Sequence, residues 1–372
     1  MNTFRGLSVI CLPLVLCIVS CGKSGLEPYV DSSSLVPEPD TCSPISVYAD
    51  VQGTRALDPI QDLTTLESQH FDVSAVWNYN ALPENKWYLK QQEVSKQGTD
   101  WVTTPMSYWT VTGNLSFFMY APSKRQTGTT LTFNAEPTGM PSVSYTPLSR
   151  NVSRQFDLCL ARPVFNKTRG SGAVPAEFYH TLTQVWFDMN WTGSLPNASY
   201  YVLIDQIQLK NVIGTKKVYY SENAPYYSWQ PDSECTADST FTLSRSTNGE
   251  LKTTYQTPGI WASGTLPNLT DGVFVTVQNS AGRLYLLPQR ITTSAVISVT
   301  YGFYRKVGSS NILVSSFTKE MNIPADFDWL PNKSYHFQIT VDVGESSPVT
   351  MPGYVIYDWE NSGSTHTVVE FD

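Results

Sequence analysis

The sequence is poor in the residues that carry catalysis and lacks the motifs that would organise them. Its 372 residues contain no G-x-S-x-G, H-E-x-x-H or glycine-rich phosphate motif. Only four histidines occur, and they are scattered: His70, His180, His336 and His366. We therefore predict that the protein is not an enzyme and uses no cofactor. Spacing alone leaves a glycosidase open, because its two carboxylates can be distant in sequence.

Charge and cysteine are also scarce. Charged residues make up 15% of the chain, the net charge is −8, and no basic cluster occurs, which argues against a nucleic-acid partner. Of six cysteines, three lie at or before Cys21, and the others, Cys42, Cys159 and Cys235, are widely spaced. An odd number at such spacing predicts neither a disulfide framework nor a metal site.

One long apolar run occurs, and it is at the N-terminus. Leu7 to Val19 is too short to span a bilayer as a stable helix, and it ends in Ile18-Val19-Ser20-Cys21, which is close to a lipobox. We predict a signal peptide at 1–20 and lipidation of Cys21. Residues 21–43, rich in serine and proline, are predicted to form a flexible tether that cannot bury a core.

Alternating apolar and polar residues dominate the rest of the chain. The pattern is clear in Leu115–Ala121, Ala295–Phe303 and Ser334–Val343, and it is typical of strands with one buried face. Helical periodicity is confined to a turn or two near Ile60–Gln69. Frequent turn residues between the strands favour an all-β fold of two antiparallel β-sandwich domains in tandem, at 44–192 and 198–372.

Three stretches, in order, resemble the fimbrillin family, the pilus subunits of Bacteroidales bacteria. LSFFMYAP at 115–122 is similar to that family's "sFFAYaP" strand. DLCLA at 157–161 and FYHTLTQVWF at 178–187 resemble its "DLlvA" and "F-x-HaLskv-x-F" strands. LYLLPQ at 284–289 and WLPNKSY at 329–335 complete the match. The polar stretch 126–140 matches nothing in the family pattern.

The resemblance implies two transthyretin-like β-sandwich domains and export as a lipoprotein to the outer membrane and cell surface. In that family a trypsin-like protease cuts after a basic residue that follows the first strand. The lost strand leaves a groove, which a terminal strand of a neighbouring subunit fills. The implied partners are therefore other pilin subunits and the processing protease, with a host glycan or protein as a further possibility.

The residues needed for this mechanism are present. Ile45, Val47, Ala49 and Val51 alternate with polar residues and predict a short first strand. Gly53-Thr54-Arg55-Ala56 follows directly, so Arg55 is the predicted cleavage site and Ala56 the new N-terminus. If Arg55 is instead an ordinary loop arginine, the protein would keep its lipid as a basal anchor or an independent surface lipoprotein.

The predicted donor strand is near the C-terminus. Its candidate residues lie in two alternating segments and are Tyr354, Ile356, Trp359, Val369 and Phe371. Either segment can equally be an ordinary closing strand of the second sandwich. The alternative function is that of an uncleaved, glycan-binding surface lipoprotein. Its candidate ligand contact is Trp229, in a loop between two prolines, although a ring that plugs the domain edge explains the same pattern. The sequence does not distinguish a stalk, tip or anchor subunit.

Overall fold

Strands make up nearly all the regular structure of this computed structural model. It describes residues 37–51, 63–148, 155–192, 200–244, 252–253, 275–278, 284–308, 310–342, 349–358 and 366–370, all within the unit Pro37–Asp372. The predicted all-β fold is confirmed. The predicted division at 192/198 stays a prediction.

Twelve strands and two short helices occur in the described residues up to 180. The helices are α1 (Leu63–Gln69) and α2 (Lys124–Thr127). The strands are β1 (Pro39–Pro44), β2 (Ser46–Val51), β3 (Phe71–Trp77), β4 (Lys86–Gln97), β5 (Asp100–Thr104), β6 (Tyr108–Thr110), β7 (Leu115–Ala121), β8 (Leu131–Asn134), β9 (Ser142–Tyr145), β10 (Cys159–Ala161), β11 (Val164–Lys167) and β12 (Val174–His180).

Fifteen strands follow in the described residues after 180, with a 3-10 turn at Asp232–Glu234. They are β13 (Thr183–Thr192), β14 (Tyr200–Val212), β15 (Lys216–Tyr220), β16 (Tyr227–Trp229), β17 (Ser239–Ser244), β18 (Lys252–Thr253), β19 (Val275–Gln278), β20 (Leu284–Leu286), β21 (Gln289–Ile291), β22 (Val296–Val307), β23 (Ser310–Asn322), β24 (Phe327–Trp329), β25 (Lys333–Asp342), β26 (Val349–Asp358) and β27 (His366–Glu370).

The N-terminal half is built around one eight-stranded sheet. Its strand order is β10-β12-β2-β5-β4-β3-β7-β11, and β10 also pairs with β7, so the sheet closes on itself. One face of the sheet buries a cluster that we call the N-terminal core. It is formed mainly by β2, β3, β7 and β12, and its buried rings are Phe71, Trp77, Trp101, Trp109, Phe117 and Phe178.

The C-terminal half is a sandwich of two sheets. The first has the order β18-β19-β13-β25-β26-β27, with β20 also paired to β13, and the second has the order β17-β14-β22-β23. Their facing side chains form the C-terminal core, with Phe241, Tyr301, Trp329, Tyr335 and Phe337 among its fully buried rings. Most pairings are antiparallel, but β2 with β12 and β13 with β25 are parallel.

A third cluster, the central core, lies beneath the four-stranded sheet β16-β15-β9-β8. It takes Phe118 and Tyr120 from β7, whereas Phe117 and Met119 of the same strand enter the N-terminal core. Successive side chains of a strand point to opposite faces, so β7 is buried on both faces and not on one face as its sequence pattern predicted.

Candidate functional site

The predicted first strand lies in the interior of the N-terminal sheet. β2 pairs in parallel with β12, from Val47 opposite Val174 to Val51 opposite Phe178. On its other side it pairs with β5 in antiparallel register, Val47 opposite Trp101. The chain that enters β2 is also held, because the Ile45 amide donates to the Ser107 carbonyl at 2.8 Å. A strand in this position satisfies backbone groups on two neighbours at once.

All four predicted apolar positions of this strand are buried. Ile45, Val47, Ala49 and Val51 are between 0 and 4% exposed and belong to the N-terminal core, whereas Tyr48, on the other face, is 65% exposed. This is the period-two pattern of a half-buried strand. The strand therefore contributes one apolar face to the core and presents the other to solvent.

Aromatic rings lie in the same core as the side chains of β2. The Phe71 ring packs 5.1 Å from the Phe178 ring and 5.3 Å from the Trp101 ring, measured between centroids. Phe178 and Trp101 belong to β12 and β5, the two strands that flank β2. We call the space that β2 fills between β12 and β5 the slot. Emptying it would expose these rings and the unpaired edges of both strands.

The segment before β2 is attached to a different part of the fold. β1 pairs with β6, from Pro39 opposite Thr110 to Pro44 opposite Tyr108. The guanidinium of Arg169 donates to the Asp40 carboxylate at 3.1 Å. Hydrogen bonds from Ser43, the Cys42 amide and Arg169 lower the pKa of Asp40. Residues 37–51 are thus held by two sheets.

The remaining predicted residues of the processing mechanism lie outside the described residues. These are Cys21, Arg55, Ala56, Trp359 and Phe371. Arg55 is four positions beyond the last residue of β2 in sequence. Cleavage at Arg55 and lipidation of Cys21 stay predictions.

The two candidate donor segments differ in how they are held. β26 pairs with β25 on one side and with β27 on the other, and the Tyr354 ring stacks on Phe327 at 4.4 Å. Ile356 packs against the C-terminal core. β27 pairs only with β26 among the described residues, Val369 opposite Tyr354. The last strand is therefore the less firmly paired of the two.

Trp229 is half-buried rather than fully presented to solvent. Its indole N–H donates to the Thr181 carbonyl at 2.9 Å, its ring packs against the central core, and the Lys216 ammonium lies 6.0 Å from the ring centroid. Lys216 itself is buried and donates to Asp232 and to the Pro288 carbonyl. These contacts agree with the interpretation that the Trp229 ring covers the edge of the domain. A role for Trp229 in ligand binding stays a prediction.

The fold also brings together three residues that sequence spacing did not connect. Cys159 of β10 lies directly opposite His180 of β12, and Asp157 precedes Cys159 by two positions. The His180 Nδ1 lies 2.5 Å from the Asp157 Oδ2, and the Cys159 Sγ lies 3.5 Å from Nδ1 and 3.6 Å from Oδ2. The D-x-C spacing is a usable sequence signal, but nothing in the sequence shows that β12 lies alongside.

A second buried acid belongs to β3. Asp72 accepts hydrogen bonds from the Tyr120 hydroxyl at 2.6 Å and from the Lys124 amide at 2.9 Å. Burial raises its pKa to about 6, although both hydrogen bonds act in the opposite direction. Burial and the Asp72 charge in turn raise the pKa of Tyr120.

No helix in the described part of the chain is long and apolar enough to cross a membrane. A family model with the description fimbrillin-like matches residues 54–359. This match confirms the resemblance drawn from the sequence. No curated protein matches the chain.

Solved structures that the chain matches come from Bacteroides species. A fimbrial protein from Bacteroides vulgatus superimposes with a TM-score of 0.57 at 18% identity, over 84% of this chain and 99% of its own. A candidate cell adhesion protein from Bacteroides uniformis gives a TM-score of 0.43 at 13% identity, over 85% and 99%. One from Bacteroides ovatus gives 0.42 at 12%, over 87% and 99%.

Proposed function

The chain belongs to the fimbrillin-like family, and we propose that it is a subunit of a cell-surface fimbrium that assembles by strand exchange. The position of β2 carries this proposal. Among the described residues, it is the one strand near the start of the chain that lies in the middle of a sheet and is followed within four residues by an arginine in a turn-like sequence.

Cleavage after Arg55 would separate β2 from the rest of the chain. Burial of a Val or Ile side chain contributes about 1.5–3 kcal/mol, so Ile45, Val47 and Val51 together contribute on the order of 5–9 kcal/mol. Loss of the strand also leaves the facing N–H and C=O groups of β12 and β5 without partners. An apolar slot with two unpaired strand edges is a binding site for another extended segment.

β27 is the donor that the pairing favours. Extracting an edge strand breaks one ladder, whereas extracting β26 breaks two and removes Tyr354 from the C-terminal core. In the sequence, Thr367, Val369 and Phe371 alternate with His366, Val368 and Glu370, and this period of two predicts that they share one face. We propose that this face occupies the positions that Val47, Ala49 and Val51 leave.

Anchoring and release follow from the same cut. A lipid on Cys21 would hold the precursor at the outer membrane, and cleavage after Arg55 would remove the lipid together with β1 and β2. The processed subunit would then remain at the surface through its neighbours in the fimbrium. The partners are a trypsin-like protease, other pilin subunits and, at an exposed end of the fibre, a host glycan or protein.

Limited trypsin digestion of the full chain tests the cleavage step. We expect one early cut after Arg55, identified by a new N-terminus at Ala56, followed by oligomers in size-exclusion chromatography with light scattering. Arg55→Ala should stay intact at this position and monomeric. Arg125→Ala, which removes an exposed arginine of α2, is the matched control and should behave like the wild type. Monomers that persist after complete cleavage at Arg55 would contradict the assembly step.

A second experiment tests the donor. Val369→Asp should be cut at Arg55 as the wild type is but should not form oligomers, because a charged group cannot enter the apolar slot without a partner. Val314→Asp, at an exposed position of β23, is the matched control and should still assemble. Normal assembly of the Val369→Asp chain would rule out β27 as the donor while leaving the cleavage step intact.

A further inference from the structure

We propose that Asp157, Cys159 and His180 form a buried binding site for a divalent transition metal ion such as Zn²⁺. Thiolate, imidazole and carboxylate are the three side-chain groups that Zn²⁺ binds in proteins. Here one of each meets in a single cluster whose potential ligand atoms all lie within 4.8 Å of one another. Each of the three residues is at most 3% exposed.

Two edges of this triangle already have the length that a tetrahedral zinc site requires. Bond lengths of about 2.3 Å to sulfur and about 2.0–2.2 Å to nitrogen or oxygen give ligand-to-ligand distances of about 3.6 Å for the edges that include sulfur. The observed distances from the Cys159 Sγ are 3.5 and 3.6 Å. The third edge, from His180 Nδ1 to Asp157 Oδ2, is a hydrogen bond of 2.5 Å and would open to about 3.4 Å around a metal.

The backbone fixes the positions of the sulfur and nitrogen ligands. Cys159 and His180 are direct partners in the antiparallel pair β10–β12, and the Thr181 hydroxyl and amide both donate to the Leu158 carbonyl beside them. The Tyr227 hydroxyl donates to the His180 carbonyl at 2.9 Å. A ligand set held by paired strands keeps its geometry better than one held by loops.

A buried carboxylate oxygen gives a second reason for a cation. The Oδ1 of Asp157 is buried and has no hydrogen-bond partner among the described residues. A carboxylate in such surroundings is costly unless a positive charge or a full set of donors compensates it. Zn²⁺ with one thiolate, one carboxylate and one neutral imidazole has no net charge, which suits a site inside the N-terminal core.

Metal binding would remove two protons from the three ligand atoms. The thiol proton of Cys159 is released to solvent, and the proton between Nδ1 and Oδ2 moves to Nε2, so that His180 binds the metal as a neutral imidazole. Three protein ligands leave the fourth tetrahedral position to a water molecule. Because the site is buried, the ion is expected to enter as the chain folds.

Refolding of the reduced full chain in the presence of Co²⁺, a spectroscopic substitute for Zn²⁺, tests the site. The chain has six cysteines, so two variants are compared: one that keeps Cys159 and replaces the other five by serine, and one that replaces all six. The first should retain one equivalent of Co²⁺ after gel filtration and show a thiolate-to-cobalt charge-transfer band. The second should lack the band and bind at least about 100-fold more weakly.

X-ray absorption spectroscopy of the zinc-loaded variant that keeps only Cys159 gives a readout that needs no second variant. We expect one sulfur and otherwise nitrogen or oxygen neighbours around the metal. A shell without sulfur, or a folded chain that retains less than a tenth of an equivalent of metal, would overturn the proposal. In that case the three residues form only a hydrogen-bonded cluster.

Discussion

β2 and β13 occupy comparable places in the two halves of the molecule, and they differ in how firmly they are held. Each pairs in parallel with a strand that comes much later in the chain. β13 has ten register partners on β25, three on β19 and three on β20, whereas β2 has five on β12 and two on β5. The strand β13 of the C-terminal half is therefore held by more backbone pairing than β2 of the N-terminal half.

The chain segments that connect β13 and β2 to their neighbours also differ. Two buried residues, Thr181 and Leu182, join β12 directly to β13, and the Leu182 carbonyl accepts the Asn332 amide at 2.8 Å. A protease that cuts between β12 and β13 would meet buried residues. β2 instead lies between β1 and the segment that carries Arg55, so a single cut after it separates it from the rest of the unit. Of these two strands, β2 is therefore the one that the proposed single cut would free, whereas β13 stays joined to β12 through a buried connection.

The largest expected effect comes from a disulfide that keeps β2 bound to β12 after cleavage. Asp50 lies opposite Glu177 in the β2–β12 pair, and neighbouring strands are about 4.8 Å apart, within the range that a disulfide bridges. In a Cys42→Ser background, Asp50→Cys with Glu177→Cys should keep β2 attached after cleavage at Arg55. We expect oxidised chains to remain monomeric and reduction to restore assembly.

Non-reducing gels and light scattering measure this outcome, and Asp50→Cys alone in the same background is the control. If chains with a fully formed disulfide assembled as rapidly as reduced chains, departure of β2 would not be required for assembly.

The next largest effect is a decrease of about 3–5 kcal/mol in the free energy of unfolding, caused by a charge placed in β2 or in β13. Val47→Asp in β2 and Val185→Asp in β13 each bury a carboxylate without a partner and should lower the free energy of unfolding of the intact chain by that amount. After cleavage at Arg55 only Val185→Asp should still be destabilising, because residue 47 has left.

Urea unfolding of intact and cleaved chains measures the difference. Tyr48→Asp, on the exposed face of β2, should change stability by no more than about 0.5 kcal/mol. A penalty for Val47→Asp that survives complete cleavage would mean that the strand stays bound.

A pH prediction concerns Asp72, the buried acid of β3 in the N-terminal half. Since the pKa of Asp72 is about 6 in the folded chain and 3.8 otherwise, the folded state binds this proton more tightly, and stability falls as pH rises through that interval. At about 1.4 kcal/mol per pH unit, the loss is about 3 kcal/mol between pH 4 and pH 7. Asp72→Asn should remove this slope.

The matched control is Asp205→Asn in the C-terminal half. Asp205 accepts the Tyr304 hydroxyl at 2.9 Å but is only partly buried. Urea unfolding at pH 4, 5, 6 and 7 measures the slope for the wild type and for both variants. An unchanged slope in Asp72→Asn would assign the pH dependence to other groups.

Local sequence patterns predicted the strands better than the pairings. The alternation in Leu115–Ala121 and Ser334–Val343 predicted β7 and β25 to within a residue. The expectation of a single buried face was wrong for β7, because every residue of that strand is buried between two cores. The parallel partners of β2 and β13 were not predictable, since each pairing joins residues far apart in sequence. For the same reason the cluster of Asp157, Cys159 and His180 was missed.

Two details of the N-terminal half were not predicted. Gln91 interrupts β4 with a φ of 46°, and its amide donates to the Ser74 hydroxyl at 2.9 Å. A non-glycine residue rarely adopts this conformation, so sequence gives no cue to it. The polar stretch 126–140, unmatched in the family pattern, contains β8, whose Leu131 and Phe133 enter the central core.

The smallest expected effect separates folding from assembly with one matched pair of substitutions. Ile45→Val, just before β2, and Ile339→Val, in β25, each remove one methyl group from a fully buried position, and each should cost the intact chain about 0.5–1.5 kcal/mol. Differential scanning calorimetry of the intact chains should therefore give similar decreases in Tm. In assembled fibres only Ile339→Val should lower the Tm, because residue 45 is absent from every cleaved subunit, whereas residue 339 remains in each one.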